Sequence, residues 1–290
     1  MSTLLTPPNT KKTGLIIGLV IFATLLSCLG VYFYLLKNID DNKIIAEEES
    51  TFGTIWVFDK EDKRCLTFTK PPTPITQSCM LISNPKKLIS PYVQMFLSAL
   101  FLNDNPQRIL VIGLGGASTQ KALNILMPNA QIDTAEINPA LPKIVENNFN
   151  YKENEYNRIY IEDAAAFAEK AAPDTYDIIF IDAFNSEYIP PHLLTDKFMT
   201  DIKNMLTPNG IVAINTFTVS KSFRAESELF KRNFGQFYNL IFNTSRIMIA
   251  SKGKIPDLNE IQQKAVFWKF KFIEVGVDQA ALFKLFREPI

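Results

Sequence analysis

From Arg108 to Ser251, short apolar runs alternate with segments of helical periodicity, and this alternation narrows the possible folds more than any other feature of the chain. The runs RILVIG, QIDTAEI, RIYI, YDIIFID and GIVAINTF are apolar and β-rich, and between them lie STQKALNILM, PALPKIVENNF, AAAFAEKAA and TDKFMTDIKNML. Strands that lack a polar face are covered on both sides. The pattern therefore predicts a parallel sheet with helices on each face, joined by right-handed crossovers. A helix around 223–233 follows, then QFYNLIF and RIMIAS with only Asn243-Thr244-Ser245 between them. Strands joined so tightly must run antiparallel, because a parallel connection needs about a dozen residues.

Upstream, after a tail at 1–13, the stretch Gly14 to Leu36 carries no charge. At about 1.5 Å per helical residue it is long enough to cross a bilayer, and residues 14–36 are expected to form a transmembrane anchor. A cleaved signal peptide fits less well, since the run is long and lacks a polar, small-residue cleavage zone. Residues 37–51, closing on Glu47, Glu48 and Glu49, read as a charged linker. From 52 to 90 the pieces GTIWVFD, RCLTFT and SCMLIS, broken by Lys70-Pro71-Pro72 and Asn84-Pro85, predict a small β-hairpin appendage. The main domain is expected over 91–290, opening with an apolar helix and ending in aromatic-rich helices. Phe267, Trp268, Phe270 and Phe272 are too closely spaced for one narrow stripe, so part of that set should be exposed.

Thirty basic residues balance thirty acidic ones, which removes the electrostatic basis for nucleic-acid binding. One histidine, His192, and no CxxC leave no zinc set, and no metal is expected. Three cysteines are not a disulfide framework. Cys65 and Cys79 flank the appendage and are read as buried free thiols, unless the domain faces an oxidising compartment.

In open α/β sheets ligands bind beyond the carboxyl ends of the strands, where the strand order reverses. The first strand ends in Gly113-Leu114-Gly115-Gly116 and enters a helix near Ser118, a turn that lets a ligand approach bare backbone at a helix N-terminus. Glu136 ends the second strand, at the spacing where a carboxylate accepts both hydroxyls of a ribose. Asp163 lies just beyond the third strand and Asp182 ends the fourth. Glu136, Asp163 and Thr195 also suit helix capping. Together with the glycine turn, the acids predict a nucleoside-binding rim.

The motifs IGLGGAS, AEIN, IEDAAAF and YDIIFIDAFNSEYIPPHLLTDKFM resemble successive motifs of the spermidine synthase family of polyamine aminopropyltransferases, over roughly 53–251. The resemblance implies a Rossmann-like α/β fold of the class I methyltransferase type. It also implies decarboxylated S-adenosylmethionine or S-adenosylmethionine as the bound nucleoside, and a polyamine or other amine as the acceptor. Gly113, Gly115, Gly116 and Asp182 would flank the nucleoside, with Glu136 on the ribose and Asp163 on the adenine amino group. Gln77, Tyr92 and Gln94 would stand on the polyamine side, and His192 follows the family pattern within PPHLLT, although a lone histidine opening a helix is more often structural.

Two positions depart from the family pattern. Gly116 stands where the family has the aspartate that holds the aminopropyl ammonium, and Asn185 stands where it has the catalytic aspartate. An amide takes no proton. Asp182 and Glu187 are therefore the carboxylates expected to substitute for it, and Asp182, Asn185 and Glu187 are the candidate catalytic positions. Methyl transfer from S-adenosylmethionine and binding without catalysis are the rival readings, and homo-oligomerisation is left open. Lys11 and Lys12 before the apolar run are matched by Lys37 and Lys43 after it, so the positive-inside count is tied. A cytosolic cofactor points to the cytoplasmic face, and a Cys65–Cys79 pair would point the other way.

Overall fold

The computed structural model describes residues 23–32, 42–184 and 188–289. It divides into two units, 1–43 and 44–290. In the first, residues 23–32 are helical. The rest of the expected span 14–36 lies outside the described residues, and among the described residues no helix is long and apolar enough to cross a membrane.

The second unit opens with a four-stranded sheet in the order β1 (Lys43–Glu48), β2 (Ile55–Lys60), β3 (Lys63–Thr67) and β4 (Ser78–Leu81). This corrects the sequence reading in two ways. The appendage is a sheet and not a hairpin, and its first strand, KIIAEE, falls in the expected linker. Its charged ends hide a short apolar centre, with Ile45 and Ala46 packed against the buried Ile55, Val57 and Leu66. Cys65 and Cys79 are not free thiols. The antiparallel register sets them opposite each other on β3 and β4, 4.1 Å apart at Cα, and they form a disulfide.

The main sheet has seven strands in the order β10-β11-β9-β8-β5-β6-β7. They are β5 (Arg108–Ile112), β6 (Gln131–Glu136), β7 (Asn157–Ile161), β8 (Tyr176–Ile181), β9 (Leu206–Phe217), β10 (Phe237–Phe242) and β11 (Ser245–Ser251). As expected, β5 to β9 are parallel and the final hairpin is antiparallel. Helices α1 (Pro91–Phe96), α2 (Ser118–Leu126), α3 (Leu141–Asn148), α4 (Ala164–Lys170), α5 (Asp196–Met205) and α6 (Phe223–Phe234) cover its faces, and α7 (Leu258–Phe267), α8 (Lys269–Glu274) and α9 (Gln279–Phe283) end the chain.

Successive side chains of a strand point to opposite faces. Along β5, Ile109 and Val111 join the core beneath α1, α2 and α7, whereas Leu110 and Ile112 join the core beneath α4, α5 and α6. The tail divides in the same way. Trp268 and Phe272 are fully buried, and Phe267 and Phe270 project into solvent.

After β5 the chain steps to β6 and β7 on one side and returns to β8 on the other, so the strand order switches beside β5. The ends of β5 and β8 meet there. Gly113 has φ +101°, and a Cβ on it would lie 2.2 Å from the carbonyl oxygen of Asp182. Both the backbone angle and the space exclude a side chain. Gly113→Ala is expected to lower the free energy of unfolding by at least about 2 kcal/mol, read from urea denaturation. Wild-type stability in that variant would mean that the two strand ends are not held in contact.

Candidate active site

The glycine turn, the end of β6 and the start of α4 surround a cavity of about 390 Å³, walled by Phe52 and Phe68 of the small-sheet region, Leu141, and Leu193. Gly113, Gly115, Glu136, Asp163, Asp182, His192 and Gln77 all line it. Gly115, at φ +50°, presents bare backbone with nothing within 4 Å of where a Cβ would stand.

Glu136 is only 7% exposed. Its Oε2 accepts the Leu114 N–H of the glycine turn at 2.8 Å, and its Oε1 accepts the Asn138 N–H at 2.8 Å. Burial raises its pKa, and the N–H groups of Asn138, Leu114 and Ile137 oppose that shift by bonding the charged form. A carboxylate has about four acceptor directions. At least one acceptor direction therefore stays open toward the cavity.

Asp163 has two roles on separate oxygens. Oδ1 caps α4 by accepting the N–H groups of Ala165 and Ala166, and Oδ2 hydrogen-bonds His192 Nε2 at 2.8 Å. Burial works to raise its pKa, but His192 and the two amides outweigh this and hold it below the ordinary value. His192, expected to be structural, thus stands on the cavity wall, and Thr195 caps α5 by accepting the Phe198 N–H.

A second cleft, of about 480 Å³, adjoins the first and shares Gln77 and Phe184 with it. Tyr92 and Asn215 line this cleft. Both hold Asp182: Asn215 Nδ2 donates to Oδ1 at 3.0 Å, and the Tyr92 hydroxyl bonds the same carboxylate. Asp182 itself lines the first cavity. Burial pushes its pKa up to about 6, against the bonds from Asn215 and Tyr92. Burial, with the Asp182 charge beside it, also drives the Tyr92 phenol well above its usual value.

Not every predicted residue meets in this region. Gln94 lines neither space, and its amide donates to the Leu88 carbonyl at 2.9 Å. Gly116 is buried beside the small sheet, where a Cβ would come 2.6 Å from Ser78 Oγ. An acid at that position requires Ser78 to move. Asn185 and Glu187 lie outside the described residues. Sequence reasoning missed Asn215, Phe184, Phe217 and the two walls Phe52 and Phe68. Asn215 was within reach, since it lies near the end of the fifth parallel strand, where the strand-end rule applies equally.

A switch-point cavity with a glycine turn and a carboxylate at the second strand end is the arrangement of the S-adenosylmethionine-dependent methyltransferase-type fold. A family model described as S-adenosyl-L-methionine-dependent methyltransferase matches residues 133–236. The chain is 35% identical over 252 residues to a polyamine aminopropyltransferase of Vibrio vulnificus, an alignment covering 85% of this chain and 83% of that protein. It belongs to the spermidine synthase (polyamine aminopropyltransferase) family. The solved spermidine synthase of Thermotoga maritima has the same fold, with a TM-score of 0.67 at 19% identity over 85% of each chain. Human methyltransferase-like protein 13, solved with SAH, gives 0.58 at 21% identity over 63% of this chain and 93% of that one.

The raised Asp182 pKa makes a stability prediction. Its folded value, about 6, lies above the ordinary 3.8, so the contribution is fully present below pH about 4 and is lost as pH rises through about 6. Relative to Asp182→Asn, the wild type should lose stability across that window and no further above it. Parallel urea midpoints for the two proteins from pH 4 to 7 would contradict a desolvated carboxyl.

Proposed function

We propose that this chain transfers the aminopropyl group of decarboxylated S-adenosylmethionine to an amine, with the nucleoside in the first cavity and the acceptor in the second cleft. The observation that carries the reading is Asp182, a desolvated carboxylate that lines the first cavity and is held by Tyr92 and Asn215 of the adjoining second cleft. Family membership through the Vibrio vulnificus relative supports a polyamine as acceptor. Glu136 would accept the ribose hydroxyls and Asp163 would hold the base edge. Phe52, Phe68 and Leu141 would exclude water from its faces. The amine nitrogen attacks the carbon next to the sulfonium, that C–S bond breaks, and methylthioadenosine leaves as a neutral thioether. The chain must supply in-line positioning and take up a proton. Asp182, pushed up to about 6, is ionised at neutral pH and close enough in pKa to serve as the base.

A second reading, methyl transfer from intact S-adenosylmethionine, is favoured by Gly116. That position has no acid to pair with an aminopropyl ammonium, and Ser78 crowds it. The uncharged run 14–36 supports membrane attachment. A cytosolic nucleoside favours the catalytic unit on the cytoplasmic face, and the Cys65–Cys79 bond favours the oxidising face. Labelling of a cysteine introduced at Glu48 in intact cells decides between them. Modification from outside would exclude the cytoplasmic assignment.

Glu136→Ala is expected to weaken methylthioadenosine binding by about 1.5–3 kcal/mol in calorimetry, and an unchanged affinity would remove the ribose assignment. Release of methylthioadenosine from decarboxylated S-adenosylmethionine with putrescine or spermidine tests the reaction itself. Turnover should fall by about 10²-fold or more in Asp182→Asn, which removes the base, while methylthioadenosine binding is largely retained. Methylation of the amine by S-adenosylmethionine without aminopropyl transfer would establish the second reading.

A further inference from the structure

Outside the two cavities lies a buried charged network that the proposed chemistry does not use. Glu226, in the first turn of α6, and Arg246, on β11, are 2% and 0% exposed. Their closest approach is 3.6 Å, from Nη1 to Oε2. Each guanidinium nitrogen has another hydrogen-bond partner. The group donates to Asn239 Oδ1, the Phe223 carbonyl and Ser227 Oγ, and lies 3.8 Å over the Phe223 ring. A buried ion pair is weak evidence for added stability, because desolvation offsets much of its attraction. What the pair holds is therefore more informative.

Glu226 Oε1 accepts the Tyr188 hydroxyl at 2.8 Å and Ser220 Oγ at 2.8 Å. Tyr188 closes the segment after β8, and its ring packs on Phe184 and Phe217, each 5.9 Å away. Those two rings are 5.2 Å apart and form one wall of the second cleft, and Phe184 also lines the nucleoside cavity. Phe217 stands two residues beyond Asn215, which bonds Asp182. A hydrogen bond to an ionised carboxylate is about twice as strong as a neutral one. A rigid, charged acceptor thus fixes the tyrosine that braces the wall of the cleft.

We propose that Glu226, oriented by Arg246, is a positioning residue of the transfer site: through Tyr188 it sets the Phe184–Phe217 wall against which the acceptor amine is placed. The inference rests on the transfer reading for its kinetic consequence, and the bracing itself is tested without it. Tyr188→Phe removes one hydroxyl and leaves the ring packing in place. In the full-length protein the variant should bind methylthioadenosine within about 2-fold of wild type, because Glu136 and Asp163 are untouched. Hydrogen exchange at Phe184 and over 188–189 should quicken by about 10-fold, from the loss of the hydroxyl's bond to Glu226. Acceptor KM should rise by about 10-fold with a smaller change in kcat. Glu226→Gln, which keeps a carbonyl acceptor for the tyrosine but not its charge, should give exchange intermediate between wild type and Tyr188→Phe.

Wild-type exchange in Tyr188→Phe would overturn the proposal. A parallel loss of nucleoside affinity and thermal midpoint would also overturn it, since that pattern marks general destabilisation. If the wild type turns over no amine, the transfer reading fails and the exchange measurement decides the bracing alone.

Discussion

The contact between Gly113 and the backbone of Asp182 is the constraint from which the site is built. Two parallel strands end side by side at the switch point, and the first must turn away without a Cβ, because the carbonyl of the second occupies that space. The turn then aims the Leu114 N–H at Glu136, which ends the next strand. Three strand ends are tied together by one steric exclusion and one charge-assisted hydrogen bond. The acidic groups of the rim are held in fixed relation before any ligand arrives, which is the kind of preorganisation a displacement reaction needs.

Burial gives the carboxylates different characters. Glu136 is desolvated but compensated by backbone N–H groups, so it acts as a fixed acceptor. Asp163 keeps contact with solvent and with His192, and its pKa is held below the ordinary value. Asp182 is desolvated with only two neutral side-chain donors, and its proton affinity rises accordingly. One fold thus presents three carboxylates of different character along a single rim, and the difference among them is the number and kind of donors each one meets.

The small N-terminal sheet and the α6–β11 network do for the second cleft what the glycine turn does for the first. Gln77 and Ser78 lie at or beside β4, where the Cys65–Cys79 bond ties that strand to β3. Opposite them, Phe184 and Phe217 are braced through Tyr188 to a buried carboxylate. The cleft is bounded by two elements far apart in sequence, one tied by a disulfide whose Cys79 lines the cleft and the other braced by a hydrogen bond behind its wall.

The chain's own pattern was enough to determine the seven-stranded sheet, its antiparallel closing hairpin and the rim acids, because strand period and strand-end chemistry are local properties of short segments. The capping roles of Asp163 and Thr195, and the exposure of Phe267 and Phe270, were local for the same reason. Pairing was not local. The strand inside the expected linker, the Cys65–Cys79 bond and the engagement of Gln94 with Leu88 each depend on a register or packing that no single segment specifies. The same holds for the Asn215–Asp182 bond, the crowding of Gly116 by Ser78 and the Tyr188–Glu226–Arg246 bracing. They bring together groups 33, 38 and 20 positions apart in the chain, from Asp182 to Asn215, from Ser78 to Gly116 and from Glu226 to Arg246. Only the tertiary fold decides which side chains share a low-dielectric space, and that shared space fixes both their charge and their use.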